Sequence, residues 1–393
     1  MVIEHYCCKL THYIYYSQLH ADIFVSLQSY RTTMNNDKTL TVVIPTYNME
    51  KYLRHCLDSL IVSDERMKCI EVLVVNDGSK DSSSVIAHEY ESKYPATFRV
   101  IDKENGNYGS CVNRGIDEAK GKYFRILDAD DRFDNDGFRK FIDALKTAEA
   151  DMVLTYFYCA HCNYDTGAEE FYYPHPYHLN LKYGETYKAD DIDFEETHRA
   201  AYYGMHSATY RCDMLRKENV RLQTGISFTD TEYTYYPLAG IKSIMPLDFY
   251  LYIYSDGRDD RTVSPSNRVK GRNDWYKVAD RMLDDFVNSN RTDKALRKKQ
   301  TIVLSGALNS YYHTLLCFCQ KNDDDNAQAV ELYNKIKASA PELLDGLRGA
   351  HFRSVLPYFK VWERSGKYMT DFPYSIAAGV LTGVKTLLHG KEK

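Results

Sequence analysis

From Leu40 onward, short apolar runs alternate along the chain with segments of helical periodicity. Leu40–Ile44 and Glu71–Val75 are apolar runs without polar alternation, as expected of strands buried on both faces. Between them, apolar residues recur at i, i+3, i+4, i+7 and i+8, which predicts a helix through Leu53, Cys56, Leu57, Leu60 and Ile61. This alternation predicts βαβ units around a mainly parallel sheet.

The alternation continues to about residue 158 and then weakens. The pattern predicts further strands at Phe98–Ile101, Tyr123–Leu127 and Met152–Tyr158, with helices at Ser82–Tyr94, 112–119 and 138–145. Residues 160–200 are rich in Tyr and Asp with little periodicity, and we expect a loop or hairpin excursion there. The fold class expected is therefore α/β, with helices flanking a mixed, mainly parallel sheet.

Beyond residue 200 the chain becomes mostly helical. Strands are predicted at Ser207–Tyr210 and Ile244–Tyr254, on either side of a helix near Thr231–Leu238. Helices follow from about Ser266, and Asn322–Asn326 is expected to be a loop between two of them.

We expect three parts: residues 1–38 as an N-terminal extension outside the fold, 39–265 as the α/β domain, and 266–393 as a helical region. The amphipathic last helix, at about 376–388, is predicted to dock on the fold. Peripheral contact of the C-terminal helices with a membrane surface is the alternative.

Composition narrows the classes of protein. A formal net charge of −5 argues against a nucleic-acid binder, and 44% hydrophobic residues supply a globular core. The 35 tyrosines suit carbohydrate or nucleotide surfaces, although a compositional habit of the source genome explains them as well. No apolar run reaches the roughly 18 residues that a membrane span requires. Charged and histidine residues interrupt the first 33 residues, so these residues lack the apolar region of a signal peptide.

The ten cysteines do not form the dense framework of a small disulfide-rich protein. Most of them lie in apolar periodic segments, where a reduced thiol packs as a small hydrophobe. Cys159 and Cys162 have the spacing of a zinc or redox pair, but a structural zinc site needs four ligands, so metal binding there is the lesser alternative. We expect a cytoplasmic protein, with peripheral binding at the inner face of the plasma membrane as the alternative.

Polar clusters follow three of the predicted strands. They are Pro45–Asn48, Asn76–Ser79 and Asp128–Asp131. Ligands of open parallel sheets bind beyond the carboxyl ends of the strands, so these clusters are expected to form one site. Carboxylates at strand ends suit Mg²⁺ or Mn²⁺ bridging a diphosphate, whereas an acidic turn or helix cap is the purely structural alternative.

Together these segments resemble the nucleotide-binding half of family 2 glycosyltransferases, which have the GT-A fold. The resemblance rests on four motifs that occur in the family's order over about 105 residues: Val42-Val-Ile-Pro-Thr-Tyr-Asn48, Val74-Val-Asn-Asp-Gly-Ser79, Gly109-Ser-Cys-Val-Asn113 with Gly115, and Phe124-Arg-Ile-Leu-Asp-Ala-Asp-Asp131. It implies an inverting transferase of the bacterial surface-polysaccharide type. The chain would use a nucleotide-sugar donor, a UDP-sugar above all, and a polysaccharide, glycolipid or lipid-linked acceptor.

The resemblance also implies roles for individual donor-site residues. Pro45, Thr46 and Tyr47 would line the base and ribose pocket, and Asp77 would accept a hydrogen bond from the nucleobase imide. Further residues are implied at the donor site: Asn113 near the base, Asp128 on the ribose or the metal, Ala129 beside them, Asp130 as the ligand of Mn²⁺ or Mg²⁺, and Asp131 in support. Asn76 departs from the family, in which many members carry a second Asp.

On the acceptor side, the resemblance points to a carboxylate that takes the proton of the attacking hydroxyl. Asp230 is the first candidate and Glu232 the second, because relatives carry an acidic pair at this place. Thr229 departs from the usual Glu-Asp pair, and capping of the helix near Thr231 is the alternative role for Asp230.

Three more residues are candidates in segments that resemble parts of the family. His206 would lie near the acceptor or the diphosphate, with a purely structural histidine as the alternative. Arg258 and Arg261 follow the last predicted strand, where a loop of relatives closes over the donor. Surface ion pairs with neighbouring aspartates are the alternative for both arginines.

Other functions remain as alternatives to the transferase. An inactive nucleotide- or sugar-binding module of the same fold would keep the donor residues. A nucleotidyltransferase is disfavoured because no Gly-rich, basic loop follows the first strand. A Rossmann oxidoreductase is disfavoured because G-x-G-x-x-G is missing after Ile44.

Overall fold

The computed structural model describes residues 38–163, 166, 168–172, 181–192, 204–256, 264–289, 293–351 and 357–371. Residues 1–37 of the expected N-terminal extension, Arg258, Arg261 and the expected last helix lie outside these residues, whereas Lys38 donates hydrogen bonds to the Ile70 and Ala96 carbonyls. Within them, no helix is long and apolar enough to span a membrane.

A ten-stranded mixed sheet forms the centre of the described chain. Its strands are β1 (Leu40–Thr46), β2 (Ile70–Asn76), β3 (Phe98–Asp102), β4 (Tyr123–Ile126), β5 (Arg132–Phe133), β6 (Met152–Asn163), β7 (Ala168–Tyr172), β8 (Tyr187–Lys188), β9 (Ala208–Arg211) and β10 (Ser243–Asp256). Their order is β3-β2-β1-β4-β9-β6-β10-β5, with β7 on β6 and β8 on β10. Strands β3, β2, β1 and β4 are parallel, and β9 runs antiparallel between β4 and β6.

Helices cover both faces of this sheet. They are α1 (Leu53–Asp58), α2 (Asp64–Lys68), α3 (Ser83–Lys93), α4 (Asn107–Glu118), α5 (Asn135–Leu145), α6 (Cys212–Lys217) and α7 (Asp230–Tyr235). Apolar residues of α1, α3 and α5 share one hydrophobic cluster, and those of α4, α6 and α7 share another. Every residue of β1 and β2 is buried, which explains why both are mostly apolar and lack the alternation of a half-exposed strand. The expected α/β class is confirmed.

The helical region packs directly on the segment before and within α7. It comprises α8 (Pro265–Lys270), α9 (Arg272–Asn288), α10 (Lys294–Phe318), α11 (Asp323–Ser339), α12 (Leu343–Gly349) and α13 (Tyr358–Ser365). Its hydrophobic cluster includes Ile226, Phe228 and Tyr235, which belong to the α/β part of the chain. The helices therefore support a particular segment of the α/β part of the chain.

Two expectations change in detail. The loop expected at Asn322–Asn326 is wrong, because Asn322 caps α11 by accepting a hydrogen bond from the Asp325 N–H and the aspartates form the first helical turn. The excursion after residue 158 is a hairpin at its start, since β6 continues to Asn163 and pairs with β7 in antiparallel fashion.

Candidate active site

A cavity of about 380 Å³ lies where β1, β2 and β4 end. Because β1 pairs in parallel with both β2 and β4, the carboxyl ends of these strands meet at one edge of the sheet. Residues 205–206 and 227–230 complete the wall. The lining residues are Pro45, Thr46, Tyr47, Met49, Asp77, Asn107, Tyr108, Cys111, Asp128, Ala129, Asp130, Met205, His206, Ser227, Phe228, Asp230 and Tyr254.

Nine of the residues singled out from the sequence line this cavity: Pro45, Thr46, Tyr47, Asp77, Asp128, Ala129, Asp130, His206 and Asp230. Three others do not line it, namely Asn113, Asp131 and Glu232. Arg258 and Arg261 lie outside the described residues.

Asp77 is held firmly at the end of β2. Its carboxylate Oδ1 accepts a hydrogen bond from the Gly106 N–H at 3.0 Å and forms an ion pair with Lys103. The Lys103 ammonium also donates to the Ser110 hydroxyl at 2.8 Å. Lys103 was missed in the sequence, because a single lysine after a strand belongs to no motif.

Asn113 does not reach the cavity. Its side-chain amide donates to the Leu222 carbonyl at 2.8 Å, and its oxygen accepts from the Leu222 N–H at 2.8 Å. Both polar ends of the side chain therefore tie α4 to the segment at residue 222. Asn113 therefore does not lie with the residues that we expect near the nucleobase.

The aspartates after β4 are organised by one tyrosine. The Tyr252 hydroxyl accepts a hydrogen bond from the Asp128 N–H at 3.2 Å and donates to Asp131 Oδ2 at 2.6 Å. Asp131 Oδ1 accepts from the Ser255 N–H at 2.7 Å. Burial, with the charges of Asp130 and Asp128, raises the pKa of Asp131 well above its usual value. Asp131 therefore lies behind the cavity wall and supports it.

The same aspartates have the donor chemistry of a divalent-cation site. Carboxylate oxygens of Asp128, Asp130 and Asp131 lie within 4.8 Å of one another. Such hard oxygen ligands suit Mg²⁺ and Mn²⁺, and a cation would relieve their mutual repulsion. Asp128 also accepts a hydrogen bond from the Tyr108 hydroxyl at 2.9 Å. Since Asp128 and Asp130 line the cavity, they fit a cation that faces a bound diphosphate.

Asp230 is the first residue of α7 and lies on the other part of the cavity wall. Burial raises the pKa of its carboxyl group, partly offset by hydrogen bonds from the N–H groups of Thr231 and of Asp230 itself. A carboxylate with a raised pKa is a better proton acceptor than an ordinary aspartate. The expected position of a general base is thus occupied by a group of suitable chemistry.

Helix α9 fixes the backbone just before Asp230. Phe228 has a φ of +64°, a left-handed conformation that bulky residues rarely adopt. Its ring stacks on Trp275 with 4.4 Å between centroids and 13° between planes. The Ser227 N–H donates to Asp274 Oδ2 at 3.1 Å. Both contacts come from α9, so the helical region holds the strained segment that carries Asp230.

Glu232, the second candidate for the base, does not reach the cavity. It is fully buried and accepts hydrogen bonds from the Gln223 N–H at 2.6 Å, from the Gln223 side chain at 2.8 Å, and from Arg281 at 2.9 Å. Arg281 also donates to the Arg221 carbonyl at 3.0 Å. Glu232 therefore links α7 to α9 and to residues 221–223.

His206 lies among aromatic rings at the edge of the cavity. Its ring centroid is 4.8 Å from Tyr252, 5.2 Å from Tyr254 and 5.1 Å from Phe157. Burial and the charge of Arg125 lower its pKa to about 4. The imidazole is therefore neutral at neutral pH and offers a hydrogen bond rather than a charge.

The cysteine pair does not form a metal site. Cys159 and Cys162 lie three residues apart on β6, so their side chains point to opposite faces of the strand. The eight cysteines in the described ranges are unpaired, and all except Cys69 are buried. Among those residues, the aspartates after β4 are the group whose spacing suits a metal ion.

Comparisons with known proteins find similarity to glycosyltransferases. Residues 41–218 match the sequence model of the family described as Glycosyl transferase family 2. The chain is 39% identical over 121 residues to the uncharacterized glycosyltransferase MG025 of Mycoplasma genitalium, covering 30% of this chain and 39% of that protein. It is 27% identical over 227 residues to the uncharacterized glycosyltransferase EpsJ of Bacillus subtilis, covering 58% and 63% respectively. The chain thus spans less than two thirds of either relative.

Solved structures share the fold. The fragment 1–349 of S. aureus TarS superposes with a TM-score of 0.54 at 19% identity, covering 78% of this chain and 82% of that one. The same fragment in complex with UDP-GlcNAc gives a TM-score of 0.56 at 17% identity, covering 84% and 93%. At such identities the likeness establishes the GT-A architecture.

Proposed function

We propose that this chain, whose residues 41–218 match the model of Glycosyl transferase family 2, moves a sugar from a nucleotide-sugar donor to a hydroxyl group of an acceptor, with inversion at the anomeric carbon. The observation that carries the proposal is one cavity lined by Asp77, Asp128, Asp130 and Asp230. The acceptor we propose is a polysaccharide, a glycolipid or a lipid-linked sugar.

The nucleotide would bind where β1 and β2 end. Pro45, Thr46 and Tyr47 would line the base and ribose, and Tyr47, 45% exposed, offers a ring face at the cavity mouth. Asp77 would accept the imide N–H of uracil, and its hydrogen bond with Gly106 holds the carboxylate in place for that contact. The complex of the similarly folded TarS with UDP-GlcNAc supports a UDP-sugar as the donor.

Asp130, with Asp128, would hold Mn²⁺ or Mg²⁺, which neutralises charge on the leaving diphosphate when bound. The protein's own contribution is to fix Asp128 and the neighbouring Asp131 before the donor arrives. Tyr108 binds the Asp128 side chain, and Tyr252 binds both the Asp128 backbone and Asp131. Such preorganisation avoids the cost of reorienting the ligands during the reaction.

Asp230 would accept the proton of the attacking hydroxyl. The acceptor oxygen bonds to the anomeric carbon as the bond from that carbon to the diphosphate oxygen breaks, so the configuration inverts. His206, neutral and on the same cavity wall, would hydrogen-bond the acceptor or the diphosphate. The proposed transfer reaction requires no positive charge on this imidazole.

The three-part division of the chain also remains a proposal. In it, residues 39–265 perform the transfer and residues 266–393 support the segment that carries Asp230. We propose a cytoplasmic location, where nucleotide sugars are the activated donors. Acceptors that are lipid-linked would be met at the inner face of the plasma membrane.

Donor hydrolysis without an acceptor tests this function. The protein is incubated with Mn²⁺ and UDP-glucose, UDP-galactose, UDP-GlcNAc or UDP-GalNAc, and early products are followed by proton NMR. We expect slow release of UDP from one of these α-linked donors, with the β-anomer of the free sugar appearing first and Asp230→Asn abolishing it. Early appearance of the α-anomer would contradict inversion, and no hydrolysis of any donor would contradict the UDP-sugar proposal.

A further inference from the structure

The ammonium group of Lys103 is bound entirely within the protein. It forms an ion pair with Asp77 Oδ1, and it donates hydrogen bonds to the Glu104 carbonyl at 2.7 Å and to the Ser110 hydroxyl at 2.8 Å. An ammonium group has three N–H donors, so these three contacts use all of them. Lys103 contacts Asp77 but is not among the residues that line the donor cavity, and it therefore has no donor left for a ligand there.

The ion pair is largely shielded from water. The side chain of Asp77 is 3% exposed and that of Lys103 is 19% exposed. The Gly106 N–H donates to the same oxygen, Asp77 Oδ1, at 3.0 Å. A carboxylate removed from water is costly unless it is paired and hydrogen-bonded, and removal of one partner from such a pair is strongly unfavourable. Lys103 and Gly106 therefore fix the orientation of this carboxylate.

Both of these contacts are made by one oxygen of the Asp77 carboxylate. Asp77 lines the cavity, and its carboxylate has a second oxygen, Oδ2, with lone pairs of its own. The Cys111 thiol lies beside it, and burial together with the charge of Asp77 raises the pKa of this thiol to about 12, so the thiol is neutral. The end of β2 thus presents a fixed, negatively charged acceptor without a cationic donor from Lys103 next to it.

A fixed carboxylate of this kind distinguishes pyrimidine bases at one ring position. Uracil carries an N–H at N3, which donates to a carboxylate, whereas cytosine has a bare lone pair on N3, which a carboxylate repels. A site built around one hydrogen bond rejects an analogue that lacks it, because the buried acceptor is left unpaired. UDP and CDP share the ribose and the diphosphate, so contacts with those parts do not contribute to the difference.

We propose that Lys103 is a positioning residue that makes the donor site selective for a uracil nucleotide over a cytosine nucleotide. The inference rests on the proposed function for the contact between Asp77 and the base. Lys103 acts through Asp77, because its ammonium group orients the carboxylate and keeps its own donors within the protein. A lysine turned toward the base would instead offer cytosine N3 the donor that it needs.

Nucleotide affinities of the full chain test this role. The Kd values of UDP and CDP are measured by calorimetry in the presence of Mn²⁺. We expect the wild-type protein to bind UDP at least about tenfold more tightly than CDP. Lys103→Met should weaken UDP binding roughly tenfold and CDP binding less than threefold, because CDP gains nothing from an oriented Asp77. An equal loss of affinity for both nucleotides would overturn the proposal.

A double substitution separates a positioning role from direct contact with the base. If Lys103 acts through the carboxylate, Lys103→Met should change UDP affinity by less than twofold in the Asp77→Asn background. If Lys103 contacted the base itself, the two substitutions would act independently and the same tenfold loss would recur. That recurrence would overturn the proposal. Lys103→Gln keeps a hydrogen-bond donor for Asp77, and it replaces Lys103→Met in the series if that variant does not fold.

Lys122→Met is the matched control. Lys122 is also an ion-paired lysine, since it pairs with Glu149 and donates to the Ala148 carbonyl at 2.6 Å, but it precedes β4 at the edge of the sheet away from the cavity. We expect its UDP and CDP affinities to stay within twofold of the wild-type values. A loss of UDP selectivity as large as that of Lys103→Met would mean that the effect does not depend on Asp77, and would contradict the proposal.

The wild-type protein separates this proposal from the proposed function. If UDP and CDP bind equally well with Mn²⁺, the selective role of Lys103 is refuted and the nucleotide site stands. If neither nucleotide binds, the proposed donor site fails as well.

Discussion

The two sides of the candidate site are built in different ways. On the donor side, Thr46 ends β1, and Asp77 and Asp128 follow β2 and β4 within two residues, so the strands themselves place them. On the acceptor side, Asp230 follows a strained turn at Phe228 that is held by Trp275 of α9. Strand ends therefore preorganise the proposed nucleotide site, whereas the proposed base depends on contacts made by a helix much later in the chain.

This difference predicts that the proposed base can be removed without disturbing the nucleotide site. Asp230→Asn should lower turnover by about 10²–10⁴-fold, because the attacking hydroxyl loses its proton acceptor, and should leave UDP affinity unchanged. Turnover and UDP binding by calorimetry are the measurements. Glu232→Gln is the matched control, since this carboxylate lies two residues away but faces Gln223 and Arg281. A comparable loss of turnover in folded Glu232→Gln would contradict the assignment.

The support from α9 should matter for turnover and for stability together. Trp275 is 7% exposed, and truncation to Ala should lower the free energy of unfolding by about 3–5 kcal/mol. With Phe228 released, Asp230 is misplaced and turnover should fall at least about tenfold at a temperature where the variant is folded. Urea unfolding and steady-state kinetics measure both effects.

Trp275→Phe is the control for that variant, because it keeps an aromatic surface for Phe228. It should recover most of the turnover and most of the stability. If Trp275→Ala instead lost UDP affinity and kept its turnover per bound donor, the helical region would support the nucleotide site, and the comparison between the two sides would be wrong.

The pH dependence of turnover should reflect the acceptor side. The base acts when ionised, and burial raises the pKa of Asp230 above the ordinary value of 3.8. Turnover should therefore be lost as the pH falls through this raised pKa, at a higher pH than an ordinary aspartate would give. Profiles of kcat against pH, with UDP affinity measured at each point, test this expectation. An acid limb at or below the ordinary aspartate pKa would contradict it.

The smallest expected effect concerns Asn113, which joins the two sides. Both polar ends of its side chain bond the Leu222 backbone, so Asn113→Ala should lower the free energy of unfolding by about 1–2 kcal/mol. UDP affinity should stay within twofold. A large loss of UDP affinity with unchanged stability would instead favour the base contact that the sequence resemblance implies.

Much of the fold was predictable because its signals are local. Strands β1 and β2 are buried at every position, so their apolar runs alone mark them, and their polar ends locate the cavity by the geometry of parallel sheets. The first turn of α11, which contains three aspartates, was not predicted. Asn322 caps this turn, but an Asp-rich segment is equally typical of a loop.

The parts that could not be predicted depend on contacts between distant residues. Glu232 and Asp230 are indistinguishable as acidic residues in the sequence, and only Arg281 and Gln223 show that Glu232 is used elsewhere. The pairing of Lys103 with Asp77 joins residues at the ends of two strands, with no motif to indicate it. Strand β10 also has two register shifts against β6, between Pro246 and Tyr250 and between Tyr250 and Tyr252, which no local motif indicates.

The most direct test of the central claim is a thermal unfolding series with UDP, with and without Mn²⁺, on the wild-type protein and on Asp130→Asn. Ligand that binds only the native state raises its stability by mass action, about 2.7 kcal/mol at a hundredfold excess over Kd. The account predicts that UDP with Mn²⁺ raises the Tm of the wild-type protein by several degrees. It predicts that most of the shift is lost without Mn²⁺ and in Asp130→Asn. Equal shifts in both proteins, with or without Mn²⁺, would contradict a metal-assisted donor site at these strand ends.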